Sequence, residues 1–264
     1  CTDSCVDLSR QLYEDLDVRY ISMIYRIEGK EYMDDCFKSM ASHTFYDKVR
    51  SGSSSSTALI NTERYLEFFR PFLQAGQDVL YIGFSSGLSG SFQSSVLAVE
   101  ELRQEFPERK IYTVDSLAAS MGQGLLVYWA AQKRNEGMSI EDLAHWVEDN
   151  RLRLAHWFTV DDLNHLYRGG RVSRTTAFLG TMLSIKPVMH VDNEGHLIPI
   201  FKIKGRKAAL KKLVEQMRNT VSHPEEQVIF ISHGDSPNDA KVVGELIRAE
   251  FPVKDIDRKS TRLN

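Results

Sequence analysis

No stretch of this sequence approaches the roughly 20 consecutive apolar residues that a membrane-crossing helix needs, and no basic-then-apolar leader opens it. Cysteine is scarce. Cys1, Cys5 and Cys36 are odd in number and lack zinc-site spacing, so neither a disulfide framework nor a structural metal is expected. A basic excess is missing too: the formal net charge is −3, which argues against a nucleic-acid partner held through phosphates. Seven prolines and 16 glycines are too few for a collagenous or low-complexity chain. No internal repeat of fixed period occurs. These absences lead to the expectation of a cytoplasmic protein in a reducing compartment, with a small molecule or another protein as partner.

What is present reads as globular. Hydrophobic residues make up 42% and charged residues 26% of 264, enough for one large α/β unit or two modest ones. Short apolar runs alternate with amphipathic stretches, the pattern of parallel strands joined by crossover helices. Val79 to Phe84 is such a run, followed by Ser85-Ser86-Gly87-Leu88-Ser89-Gly90 and then Phe92, Val96 and Val99 at helical spacing. Lys110 to Val114 repeats the scheme, with Asp115-Ser116 and a helix from about Met121 to Lys133. Ser139-Ile140-Glu141-Asp142 reads as a capping box.

After Arg151 the texture changes. Ala155 to Val160 predicts a strand, and Asp161 is positioned to cap a short helix ending at Gly169-Gly170. Ile185–Val191 and His196–Lys204 flank Asp192-Asn193-Glu194-Gly195 as an antiparallel hairpin. A basic helix from Arg206, a strand from Gln227 and a helix from Asn238 follow. The expectation is an α/β chain of two domains: a parallel-sheet domain over 1–152 and a mixed-sheet α/β domain over 153–258. Both ends look cut, and 259–264 is set aside as a non-native tail.

Several segments carry candidate chemistry. The loop from Ser85 to Gly90 presents hydroxyls and backbone N–H groups before a helix, suited to a carboxylate or phosphate, with Ser89 as the expected N-cap. The same loop holds Gly83-Phe84-Ser85-Ser86-Gly87, a formal G-x-S-x-G match. Asp115 and His233 stand later in the order a serine hydrolase requires. Met121-Gly122-Gln123-Gly124 resembles the first half of a dinucleotide fingerprint, but Val127 replaces its third glycine, the signal is weak, and glycines there more often permit close helix-to-sheet packing. Arg50 to Thr57 is polar and linker-like, yet it lies between two helical segments. Arg168-Gly169-Gly170-Arg171 sets two guanidiniums about a glycine turn, either as forked anion donors or as solvated charges at a helix end. No Gly-Lys-Ser/Thr element and no histidine pair at metal-binding spacing is present.

Together these segments resemble the DegV family of bacterial fatty-acid-binding proteins. Thr2-Asp3-Ser4 with Val6-Asp7-Leu8 is similar to its opening TDS motif, and Tyr32-Met33-Asp34-Asp35 to its Y-x-D loop. Ser85 to Ser94 is close to its SSGLSGTYQS signature. Val114-Asp115-Ser116 with Ser120-Met121-Gly122 resembles its VDS block. Trp157-Phe158, Asp161-Asp162-Leu163, Arg168 to Ser173, Ile185-Lys186-Pro187 and Gly205-Arg206-Lys207-Ala208 continue the likeness over nearly the whole chain. Thr57-Ala58-Leu59-Ile60-Asn61 stands where the family commonly reads T-S-Q-P-S, and Lys204 stands where an arginine is frequent.

The resemblance implies two α/β domains and an apolar tunnel around one acyl chain, closed by the C-terminal domain. The carboxylate is implied to be held by Thr57 and Ser89, with Gly90 and Ser86 beside them. Arg168, Arg171, Lys204 and Arg206 then face a partner, a dihydroxyacetone-kinase-like subunit that phosphorylates the acid to acyl-phosphate for phospholipid synthesis. No cofactor or metal is implied, and the protein is a carrier, not an enzyme. The alternative is a serine hydrolase of acyl esters acting through Ser85.

Overall fold

The computed structural model describes residues 1–161, 163–173 and 184–260; Asp162 of the central block and residues 261–264 of the set-aside tail lie outside the described residues. The described chain forms two compact units, Cys1–Leu154 and Ala155–Ser260.

In the first unit the elements run β1 (Thr2–Asp3), α1 (Arg10–Asp15), β2 (Tyr20–Ile21), β3 (Ile24–Ile27), β4 (Lys30–Met33), α2 (Ser42–Arg50), β5 (Ser55–Ala58), α3 (Thr62–Gln74), β6 (Val79–Gly83), α4 (Ser91–Glu105), β7 (Ile111–Asp115), α5 (Ser120–Asn135) and α6 (Ile140–Asn150). Four strands make a parallel sheet in the order β2-β1-β6-β7, with Thr2 opposite both Tyr20 and Ile82 and Gly83 opposite Asp115. Strand alternation sends Val79 and Tyr81 into a core with Tyr65, Leu66, Phe69 and Leu73 of α3 and Ala98, Val99 and Leu102 of α4. Asn61 and Ser139 cap α3 and α6 by accepting from Arg64 and Asp142 N–H, as their side chains predict.

One local expectation is corrected, and one strand is new. Arg50 to Thr57 is not a linker: Ser55–Ala58 is a strand, paired antiparallel with β3, and β4-β3-β5 forms a second sheet that the sequence did not announce. Serine-rich strands carry little hydrophobic alternation, so only the pairing of Tyr25 with Thr57 reveals them. Thr2-Asp3 is likewise strand, inside the parallel sheet and buried.

The second unit holds β8 (Trp157–Thr159), α7 (Asn164–Arg168), β9 (Ile185–Val191), β10 (Leu197–Lys204), α8 (Arg206–Thr220), β11 (Val228–His233), α9 (Pro237–Glu250) and β12 (Asp255–Ser260). The hairpin forms as expected, its turn closed by Asp192, whose carboxylate accepts from the N–H groups of Glu194 and His196. Antiparallel β10-β9-β8 and parallel β11-β12 are separate sheets, and Leu210, Val214, Val243, Ile247 and Ile256 form a core of α8, α9 and β12. Asp161 does not cap α7, whose N-cap is Leu163; its carboxylate lies instead 3.0 Å from Lys186 Nζ. Lys259 and Ser260 are not tail but β12, opposite Ser232 and His233. A polar run without alternation hides such a strand until its partner is known.

Two predictions follow from packing. A Cβ on Gly124 of α5 would stand 2.6 Å from the Val6 carbonyl oxygen and 3.0 Å from Leu8 Cδ2, so Gly124→Ala is expected to destabilise the first unit by about 1–3 kcal/mol in urea unfolding. In the second unit His156 Nδ1 is buried without a hydrogen-bond partner among the described residues, and burial, aided by His190, holds the imidazole down at about 4. The unfolded chain takes up a proton near pH 6.5 that the folded chain refuses, so stability should fall as pH drops from 6.5 to 4, by up to about 3 kcal/mol. Unfolding measured across that range should lose this slope in His156→Gln.

Candidate functional site

The direction in which connections step across the parallel sheet reverses at one place. From β1 the connection runs outward to β2, and from β6 it runs the opposite way to β7, so the carboxyl ends of β1 and β6 form the switch point at which open α/β sheets bind ligands. The hydroxyl-rich loop of residues 84–90 leaves β6 at this point. Gly83 ends the strand, where a Cβ would meet the Tyr81 ring at 2.6 Å and the Phe92 ring at 3.0 Å, so only glycine fits the turn.

Under the loop lies a buried carboxylate. Asp3 Oδ1 accepts from Cys5 N–H at 3.0 Å, while Oδ2 accepts from Tyr81 Oη at 2.8 Å, Phe84 N–H at 2.8 Å and Gln123 Nε2 at 3.2 Å. Since Tyr81 gives its proton to Asp3, the 2.7 Å contact between Tyr65 and Tyr81 is a donation from Tyr65. Burial raises the Asp3 carboxyl above its ordinary range, and the Phe84, Tyr81, Gln123 and Cys5 donors pull it back. On the other side Asp115 accepts from Ser86 N–H at 3.3 Å and Leu117 N–H at 3.0 Å. Asp7, Leu117 and Ser120 take φ values of +54°, +50° and +50°, and Ser120 Oγ donates to Asp7 at 2.6 Å. Left-handed backbone at non-glycine residues is sustained by surrounding contacts of this kind, and three of its nine instances among the described residues fall in the segments just after β1 and β7.

The loop is a wound turn, with the N–H groups of Leu88 and Ser89 both on the Ser85 carbonyl. Ser89 is not the N-cap of α4; Gly90 is, and Ser89 Oγ accepts from Ser91 N–H at 3.2 Å and lies 3.0 Å from Ser91 Oγ. Gly90 N–H donates to no carbonyl among the described residues, and Ser86 is exposed. Thr57 is half-buried near the end of β5. The residues just after it reach the loop: Ile60 N–H donates to Ser91 Oγ at 3.0 Å, and Leu59 Cδ2 lies 3.9 Å from the Cβ position of Gly90. The Thr57 and Ser89 segments are thus direct neighbours.

The basic candidates all belong to the second unit. Arg168 is exposed at the end of α7, while Arg171 is half-buried and its Nη1 returns to the Gly169 carbonyl at 2.5 Å. Lys204 is exposed at the end of β10. Arg206 Nε donates to Asp239 at 2.7 Å, and its Nη1 lies 3.9 Å from Asp161, so its charge is already paired.

Ser85 lacks the setting of a hydrolase nucleophile. It is 0% exposed, its Oγ accepts from Gly87 N–H at 3.2 Å, and the helix begins six residues later, not at the serine. Asp115 is occupied by loop amides, and His233 Nδ1 accepts from Ser236 N–H. The glycines after Met121 serve packing, as Gly124 shows. Sequence reasoning missed the braces Tyr65, Tyr81 and Gln123 and the bridge through Ser91. A glutamine in the middle of an otherwise apolar helix face was the one local signal of them.

The sequence pattern of the DegV family, described as uncharacterised proteins, matches residues 1–262. A DegV domain-containing protein of Clostridium perfringens is 45% identical over 255 residues, covering 97% of this chain and 88% of that one. A fatty-acid-binding DegV protein of Thermus thermophilus superposes with a TM-score of 0.83 at 28% identity, over 98% of this chain and 90% of that one. The fatty acid kinase B3 protein of Streptococcus pneumoniae, loaded with linoleic acid, shares the fold with a TM-score of 0.81 at 21% identity, over 92% and 84%.

Asp3→Asn tests the brace. An amide cannot accept from every donor around Asp3, so at least one buried N–H or O–H is left unpaired, at a cost of about 1–3 kcal/mol. Hydrogen exchange should show Phe84 N–H losing protection in this variant ahead of amides in α6.

Proposed function

This chain belongs to the DegV family, and on that premise we propose that it binds one long-chain fatty acid and holds the carboxylate on the loop of residues 85–90. The observation that supports this most is the junction at the switch point: a hydroxyl-bearing turn, braced by two carboxylates from behind and pinned through Ser91 to the Thr57 segment. Ser89 and Thr57 supply hydroxyl donors, Gly90 its unengaged N–H, and Ser86 an exposed hydroxyl at the rim. Such donors match a carboxylate, which accepts at both oxygens. Affinity comes from the tail, since each methylene taken from water into an apolar tunnel is worth roughly 0.8 kcal/mol; the head group sets orientation.

Held this way, one carboxylate oxygen is available to attack the γ-phosphorus of ATP on a separate kinase subunit of dihydroxyacetone-kinase type. A P–O bond forms to the acid, the bond to the β-phosphate oxygen breaks, and acyl-phosphate and ADP result. On this reading the kinase subunit holds the nucleotide and this chain acts as the carrier. Arg168, together with Arg171, Lys204 and Arg206 of the second unit, is the cation group assigned to that partner. Arg168 and Lys204 are the exposed members; Arg206 acts from within its pairing to Asp239. No helix among the described residues is long and apolar enough to cross a membrane.

Mass spectrometry of an organic extract of the purified protein should show a stoichiometric long-chain fatty acid. Ser89→Ala and Thr57→Ala should each weaken its binding by about 10- to 100-fold, the value of one hydrogen bond to a charged group. Arg168→Ala should leave lipid affinity unchanged while cutting acyl-phosphate formation with the cognate kinase about tenfold or more. A protein that neither carries nor takes up fatty acid sinks the reading.

A further inference from the structure

The hydrogen bonds around Ser91 fix which way protons point, and that direction decides which head groups the loop accepts. Ser91 is 1% exposed, whereas Ser89 is half-buried. Ser91 Oγ accepts from Ile60 N–H at 3.0 Å and lies 3.0 Å from Ser89 Oγ. A buried hydroxyl proton without an acceptor is costly, and Ser89 Oγ is the acceptor within reach of Ser91. The Ser91 hydroxyl therefore donates to Ser89. Ser89 Oγ also accepts from Ser91 N–H at 3.2 Å, which occupies both of its lone pairs and leaves its proton as its sole free function.

We infer that Ser91 is a positioning residue which, held by Ile60 N–H, makes Ser89 a donor only and so selects long-chain ligands with an acceptor head, a carboxylate above all, over those whose head must donate. The chain runs Ile60 N–H to Ser91 O–H to Ser89 O–H to ligand. Its first member exists because residue 60 is isoleucine; a proline there has no N–H to give. The inference rests on the fatty-acid reading and adds the origin of its head-group selectivity.

The test compares oleate with oleyl alcohol, an ionised acceptor against a hydroxyl that both donates and accepts, by competitive displacement of a fluorescent fatty acid from the full chain. Ser91→Ala frees a lone pair on Ser89 and lets its proton turn inward. Oleate binding should weaken about tenfold while alcohol binding holds or improves, and Ser91→Thr, which keeps the hydroxyl, should recover most of the preference. Ser91→Cys, nearly isosteric and a weak donor, provides the same reading should the alanine variant not fold. Equal weakening of acid and alcohol would make Ser91 merely structural and overturn the inference. So would an unchanged ratio in a folded variant, with the fatty-acid reading left standing if Ser89→Ala still loses oleate. A folded wild-type protein that binds neither ligand overturns both.

Discussion

The Asp3 carboxylate is the constraint on which the rest of the first unit depends. It sits at the end of β1, where neighbouring connections diverge. This one acidic residue collects donors from the 3-10 turn after β1, from β6, from the loop after β6 and from α5. Each donor would otherwise be a buried polar group without a partner, and the carboxylate alone would be a buried charge without compensation. Joined, they tie elements far apart in sequence to a single point just beneath the loop of residues 84–90.

That arrangement gives the loop its chemical character. Loops that bind must display N–H and O–H groups to a ligand, yet displayed donors tend to collapse onto nearby carbonyls. Here the inward-facing amides of Phe84 and Ser86 are consumed by Asp3 and Asp115, and the Ser85 carbonyl takes those of Leu88 and Ser89. Among the described residues, what remains is small: the Gly90 amide, the Ser89 hydroxyl and the exposed Ser86 hydroxyl. A rigid display of few donors loses little entropy when a ligand arrives, which is the physical sense of preorganisation.

The second unit is organised by paired charges. Lys186 on β9, 16% exposed, meets Asp161 before α7, and Arg206 at the start of α8 bridges Asp161 and Asp239 of α9. These contacts join the antiparallel sheet to the helices that cover the β11-β12 pair.

By itself the sequence determined the alternation of strands and helices, the hairpin around Asp192, the hydroxyl loop after β6 and the likeness to the DegV family. Each of these is local, written in hydrophobic period, turn residues and contiguous motifs. Tertiary structure alone decided that Ser55–Ala58 and the polar 255–260 run are strands, because a strand without alternation is defined by its partner. It decided that Asp161 pairs with Lys186 instead of capping α7, and that Ser85 is buried and committed to Gly87. It also decided that Ile60 meets Ser91, 31 positions away. A hydroxyl's role depends on which donors and acceptors surround it in space, and nothing in a local pattern records that.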